Sequence, residues 1–211
     1  MATDNTARKD DVEITEETKA VTREPLLAKA GKTLDCANTT IDSARVKLIS
    51  LDMKYAEDVF LHFNASIIKY MFPKVPERIE ETIEFLESAL KNMKNGIEMI
   101  QVITRKDNGE FLGLVGLHSS TESGPKKPHY GIWVKKTAHG RGYGMEAIMA
   151  FHKFCEENLD FTAIIYPVDR RNFASRRIPE ALGGTIMDEK VVTAMDGREL
   201  DEVVYYILPR A

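Results

Sequence analysis

The spacing of apolar positions changes several times along this chain, and each change marks an element. Val46, Leu48 and Ile49 crowd together between Arg45 and Ser50, as in a short strand. Beyond Asp52, a residue suited to cap a helix, Ala56, Val59, Phe60 and Phe63 share one helical face, and Ile67, Ile68 and Met71 suggest a second short helix. The most regular stretch begins at Pro76. Ile79, Ile83, Leu86, Leu90 and Met93 keep helical spacing there, with Glu77, Glu80 and Glu81 near the start, Lys91 and Lys94 near the end, and Gly96 as the stop. Strands are expected at 97–104 and 110–117, joined through Lys106-Asp107-Asn108-Gly109, where Asn-Gly accepts the positive φ of a hairpin. A strand at 129–135, a helix at 142–158, a strand at 162–166 and a helix at 172–182 follow. Gly183-Gly184 then leads into a closing pair, 185–193 and 199–208, turned at Asp196-Gly197. This order predicts one α/β (α+β) domain over residues 45–211, built on a single mixed, mostly antiparallel sheet flanked by helices.

Residues 1–44 read differently. Tyr55 is the first aromatic of the chain, and the preceding segment is dominated by Asp, Glu, Lys, Thr and Ala. Such a composition buries too little apolar surface to offset chain entropy, so a disordered or weakly helical tail is expected, with transient helix around 14–30. Its acids exclude a mitochondrial presequence, and it lacks the apolar core of a signal peptide. No apolar run approaches the roughly 20 residues of a membrane span. The net charge of −4 argues against a nucleic-acid binder working by bulk charge. Most of that charge lies in the first 44 residues, with 6 basic and 9 acidic groups, so the domain itself is nearly neutral. Two cysteines, Cys36 and Cys155, are too few for a disulfide scaffold or a structural zinc site and fit a reducing, cytoplasmic compartment. No metal site is expected.

Chemistry concentrates in Gly131-Ile132-Trp133-Val134-Lys135-Lys136-Thr137-Ala138-His139-Gly140-Arg141-Gly142-Tyr143-Gly144-Met145-Glu146. A strand runs into a loop with alternate glycines, and that loop opens a helix. Glycines let backbone N–H groups converge on an anion, and the free N–H groups and dipole at a helix start favour a pyrophosphate. The Gly-Lys-Ser/Thr of a Walker A loop is absent, and Met145 stands where a dinucleotide fingerprint needs Gly or Ala.

His139-Gly140-Arg141-Gly142-Tyr143-Gly144 resembles instead the Gln/Arg-x-x-Gly-x-Gly/Ala acyl-CoA signature of the GNAT N-acetyltransferase superfamily, with His139 in the first position. Asn172-Phe173-Ala174-Ser175, ending at Leu182-Gly183-Gly184, and Asn64-Ala65-Ser66-Ile67-Ile68-Lys69-Tyr70-Met71 are similar to segments of its ribosomal-protein N-terminal acetyltransferase subgroup. The resemblance implies acetyl-CoA as co-substrate, held by the backbone of Trp133, Val134 and Lys135, by His139, Gly140, Arg141, Gly142, Tyr143 and Gly144, and by Asn172. The bound arm would lie in a cleft between splayed strands. It implies direct attack by an amine, with Ser175 protonating the departing thiolate and Glu146 ordering the glycine loop. Cys155 is then a core residue. Because an α-amine with pKa near ~8 is neutral about one time in ten at pH 7, it asks little of a base. His129, two residues before Gly131, ranks first as that base and His118 second. The expected acceptor is a protein or peptide N-terminus. A small-molecule amine is the alternative within the same chemistry, and a non-catalytic acyl-CoA binding module the alternative outside it. The chain is expected to work as a monomer or homodimer, without nucleic acid or membrane. Pro179 stands where many relatives carry a tyrosine acid, and its position inside a predicted helix implies a lost hydrogen bond there.

Overall fold

The computed structural model describes residues 23–210. Its centre is an eight-stranded sheet comprising β1 (Thr40–Asp42), β2 (Val46–Ser50), β3 (Glu98–Arg105), β4 (Phe111–Ser120), β5 (Gly124–Val134), β6 (Ile164–Asp169), β7 (Thr185–Thr193) and β8 (Glu199–Ile207). The spatial order is β1-β2-β3-β4-β5-β6-β8-β7. Every neighbouring pair is antiparallel except β5 and β6. The mixed, mostly antiparallel sheet read from the sequence is therefore the observed one.

Two helical layers cover it. On one face lie α1 (Ala56–His62), α2 (Ala65–Ile68) and α3 (Ile79–Lys94); on the other lie α4 (Tyr143–Asn158) and α5 (Phe173–Ala181). Short 3₁₀ turns at Met53–Tyr55 and Lys136–Ala138 lead into α1 and the glycine loop. Asp52 caps the first of these turns, its side chain accepting from the N–H of Lys54 at 2.9 Å. Helix α3 starts at Ile79 rather than at Pro76 and buries Thr82, Leu86, Ala89 and Met93. The central strands β3 and β4 are buried along nearly their whole length, as strands covered on both faces must be.

The amino-terminal expectation needs correction. Residues 1–22, with the first part of the predicted transient helix, lie outside the described residues, but 23–44 are docked on the domain without a helix. Leu26, Cys36 and Ile41 are buried, and β1 extends the sheet beyond β2. Leu26 N–H donates to the Gly96 carbonyl and Lys29 N–H to that of Asn158, both at 2.8 Å, so the segment bridges the ends of α3 and α4. Composition missed this because so few apolar side chains do the anchoring. They fill places on a core built by the rest of the chain.

Strands β5 and β6 place the site. They share register at one pair, His129 with Ile165, and diverge beyond it. Lys135 N–H donates to Leu112 on β4, and alternation along a strand then turns the backbone groups of Trp133 and Gly131 toward β4 as well. Those of Ile132 and Val134 face the gap. A cleft thus opens between the end of β5 and the stretch of β6 from Tyr166 onward.

Candidate active site

The glycine loop closes one mouth of the cleft. Gly140 and Gly142 have φ of 74° and 78°, and Gly142 is the N-cap of α4. That left-handed turn aims the start of α4 back along the loop, and an L side chain there would be strained. Gly142 offers no side-chain cap, and among the described residues no N–H from Gly140 through Met145 donates to a protein acceptor. A row of free donors at the positive end of a sixteen-residue helix is what a pyrophosphate needs. Gly144 sits tightly against β5, where a Cβ would lie 3.2 Å from the Val134 side chain.

His139 does not reach outward. Its Nε2–H donates to the Val134 carbonyl at 2.6 Å, tying the loop to the end of β5. Glu146 orders the loop through an intermediary. It accepts from the backbone N–H of Arg45 at 2.6 Å and from Arg45 Nε at 2.7 Å, while Arg45 Nη1 donates to the Arg141 carbonyl at 3.0 Å. Of the three strand positions expected to meet a pantetheine arm, only Val134 turns backbone to the gap. The backbone groups of Trp133 and Lys135 serve the ladder to β4. The Lys135 side chain is buried against Glu110 at 2.9 Å.

Across the cleft, Tyr166 and Ser175 meet. The Tyr166 hydroxyl lies 2.8 Å from Ser175 Oγ, and burial pushes the phenol up to about 12 despite that hydrogen bond, so it stays protonated. Asn172 caps α5 by accepting from Ser175 N–H at 3.2 Å. Pro179 sits inside α5 and cannot donate to the carbonyl of Ser175 four residues earlier. Cys155 is fully buried, and burial raises its thiol to about 12, which suits a core residue and not a nucleophile.

The two histidines lie on the opposite face of the sheet from α4 and α5. Along β5 that face carries His129, Gly131 and Trp133, whose indole packs on Phe63 with ring centroids 5.2 Å apart. Tyr130 points the other way, its hydroxyl 2.9 Å from His152 Nδ1 on α4. Glu98, His118 and His129 stand in register on three adjacent strands. The His118 ring lies over two glycines: a Cβ at Gly116 would come within 2.8 Å of its Nε2, and one at Gly131 within 3.3 Å. Nε2 is thus held at the edge of the cleft. His118 Nδ1 faces the Glu98 carboxylate at 3.6 Å, and Glu98 also holds Arg23 Nη1 at 2.5 Å.

His129 is more confined. Ser123 Oγ spends its proton on the Lys127 carbonyl, so it accepts from His129 Nε2–H at 3.0 Å. Burial, with Lys190 and His118 nearby, holds the His129 imidazole below its ordinary range. The sequence reading passed over Glu98, Arg23 and Tyr166. A signal existed for the first, a lone acid in the run Ile97-Glu98-Met99-Ile100, and glycines within strands at Gly116 and Gly131 marked a close approach. A groove of about 630 Å³ between β1 and α4, lined by Thr40, Ser43, Met149 and Lys153, lies away from the cleft.

Among the described residues, no group of three or more His, Cys, Asp or Glu is placed to hold a metal ion, and no helix is long and apolar enough to cross a membrane. Comparison with known proteins adds the following. Residues 45–185 match the model of the acetyltransferase (GNAT) domain. No curated protein sequence matches. Among solved structures, the chain is similar to an acetyltransferase of the GNAT family from Bacillus anthracis, with 19% identity, 81% of this chain and 99% of that chain covered, and a TM-score of 0.69. It is also similar to an acetyl transferase from Salmonella typhimurium that modifies the N-terminal serine of 50S ribosomal subunit protein L7/L12, with 16% identity, 81% and 99% coverage, and a TM-score of 0.69. A third neighbour is RimL, the ribosomal L7/L12 alpha-N-protein acetyltransferase, in complex with coenzyme A, with 16% identity, 81% and 98% coverage, and a TM-score of 0.70.

Proposed function

The chain belongs to the acetyltransferase (GNAT) family, and from that premise we propose that it moves an acetyl group from acetyl-CoA to the α-amine of a protein or peptide N-terminus. The observation that carries this reading is the pairing of a donor-lined helix start with a splayed strand pair, bordered by histidines on one face and by the Tyr166 and Ser175 hydroxyls on the other. The free N–H groups from Gly140 to Met145 would receive the pyrophosphate. The N–H of Val134, on the gap side, would meet the pantetheine arm much as an added strand does, its carbonyl being taken by His139.

Attack needs a neutral amine, and an α-ammonium loses its proton to a histidine at little cost. Of the two candidates, His118 presents Nε2 over Gly131, at the cleft, while His129 commits its Nε2–H to Ser123. We therefore place His118 as the base. The amine nitrogen bonds to the thioester carbon, the C–S bond breaks, and the CoA sulfur leaves as thiolate. Ser175 gives that sulfur a proton, the protonated Tyr166 hydroxyl beside it steadies the oxygen left behind, and the proton that the acylated nitrogen sheds restores the Ser175 hydroxyl. The two neighbours that modify ribosomal protein N-termini support the α-amine as acceptor.

A turnover screen tests the proposal. Acetyl-CoA is incubated with short peptides bearing free N-termini, with polyamines and with amino acids, and CoA thiol release is followed. Release with peptides is expected. Release with small amines alone would move the acceptor to that class. Acetyl-CoA binding without release to any amine would leave a binding module.

A further inference from the structure

We infer that Arg23 and Glu98 form a relay that sets the protonation of His118, so that the amino-terminal segment supplies a working part of the site. The inference rests on the acetyl-transfer reading above for its chemical purpose and on geometry for its substance. Glu98 is 6% exposed, at the start of a strand that continues with Met99, Ile100, Gln101, Val102 and Ile103. A carboxylate is costly there unless paired, and its partners lie on two sides. Arg23 Nη1 is 2.5 Å from Oε1, and His118 Nδ1 is 3.6 Å from the same oxygen. Burial favours the neutral acid, but His118 and Arg23 together overcome it and hold Glu98 below the usual carboxylate range.

The two contacts act on His118 in opposite directions. A carboxylate facing Nδ1 favours the Nδ1–H tautomer, which leaves the Nε2 lone pair over Gly131, and it stabilises the imidazolium formed when the base takes a proton. Arg23 draws on the same oxygen and weakens that stabilisation. The other charged groups on this face are few. His129 neighbours His118 on β5, and Lys190 of β7 and Glu122 act on His129. Neither reaches Glu98. Glu98 and Arg23 are positioning residues, since both work through the imidazole and neither borders the cleft itself.

The experiment is a pH titration of the His118 ring by NMR in the full-length protein, assigned with His118→Gln. Glu98→Gln should lower the titration midpoint by about one pH unit or more, and Arg23→Ala should raise it. With a peptide bearing a free N-terminal serine as acceptor, the acid limb of the kcat/KM profile should move the same way in each variant. In the His118→Gln background Glu98→Gln should cost nothing further. Unmoved midpoints, or shifts of one sign in both variants, overturn the relay. Thermal melts of each variant separate lost structure from altered protonation, and Arg23, on a half-exposed segment, is the variant least able to disturb the core. A wild-type protein that acetylates no amine would instead overturn the transfer reading, while the titration still decides the relay.

Discussion

A serine hydroxyl is a poor acid in water, and the acid role proposed for Ser175 depends on its neighbour. Tyr166 lies nearly buried on β6, with its hydroxyl 2.8 Å from Ser175 Oγ. Because burial holds that phenol at about 12 it does not ionise across the working range, and it can donate to Ser175 as negative charge grows there. Ser175→Ala should therefore lower kcat by about 10²-fold or more while leaving the dissociation constant of acetyl-CoA unchanged, in line with loss of a general acid. Tyr166→Phe keeps the ring and removes the partner, so its loss should be smaller, roughly tenfold, and concentrated in kcat. Combining them should cost no more than Ser175→Ala alone. Steady-state kinetics with calorimetric binding of acetyl-CoA check all three. A fall in affinity matching the fall in kcat would make Ser175 an anchor for the cofactor rather than an acid.

Elements whose signals are local were legible in the sequence. The β3–β4 hairpin turns at Gly109 with φ of 74°, the closing pair turns at Gly197 with φ of 84°, and α4 begins at the glycine loop, all as local residue chemistry demands. What escaped depends on neighbours distant in sequence. Strand β5 begins at Gly124 rather than at 129, because Gly124 pairs with Ser120 of β4 and the Lys126 carbonyl accepts from Thr162 N–H, partners that its polar character did not announce. In the site, the glycine loop was readable, whereas the Glu98–His118 pair required knowing which strands lie side by side. Arg198 is the clearest case. Its guanidinium reaches the carbonyls of Ile68, Lys69, Met71 and Pro73 at 2.8 to 3.4 Å, and Met195 N–H donates to Phe72 at 3.0 Å. The tip of the β7–β8 hairpin is thereby fastened to the segment between α2 and α3, across some 130 residues of chain. Arg198→Ala should destabilise by about 1.5–3 kcal/mol, the usual cost of losing hydrogen bonds from a charged donor. If that segment borders the acceptor, the variant should also raise the peptide KM and leave that of acetyl-CoA unaltered. Thermal melts and two-substrate kinetics read the two effects separately, and an acetyl-CoA KM that rose with the peptide's would place the clamp nearer the cofactor.

At the scale of the whole molecule, the cleft divides the sheet into two parts. From β1 to β5 the strands run in an unbroken antiparallel ladder, β6, β8 and β7 form a second, and one parallel register pair joins them. A ligand lying between β5 and β6 would therefore bridge the junction and should stabilise the fold well beyond its local contacts. Acetyl-CoA at about 100 times its dissociation constant contributes about 2.7 kcal/mol if it binds only the native state. For a chain of this size that corresponds to a rise in Tm of about 5–10 °C. Gly142→Val supplies the control. Its φ of 78° would cost an L side chain about 1–2 kcal/mol of strain, and relieving that strain would turn the first N–H groups of α4 away from the anion. The variant should melt a few degrees lower without ligand and show little further shift on adding acetyl-CoA. Differential scanning calorimetry across a ligand series tests this directly. Equal stabilisation of wild type and variant would remove the glycine loop from the binding site, and no stabilisation of the wild type would remove acetyl-CoA as its ligand.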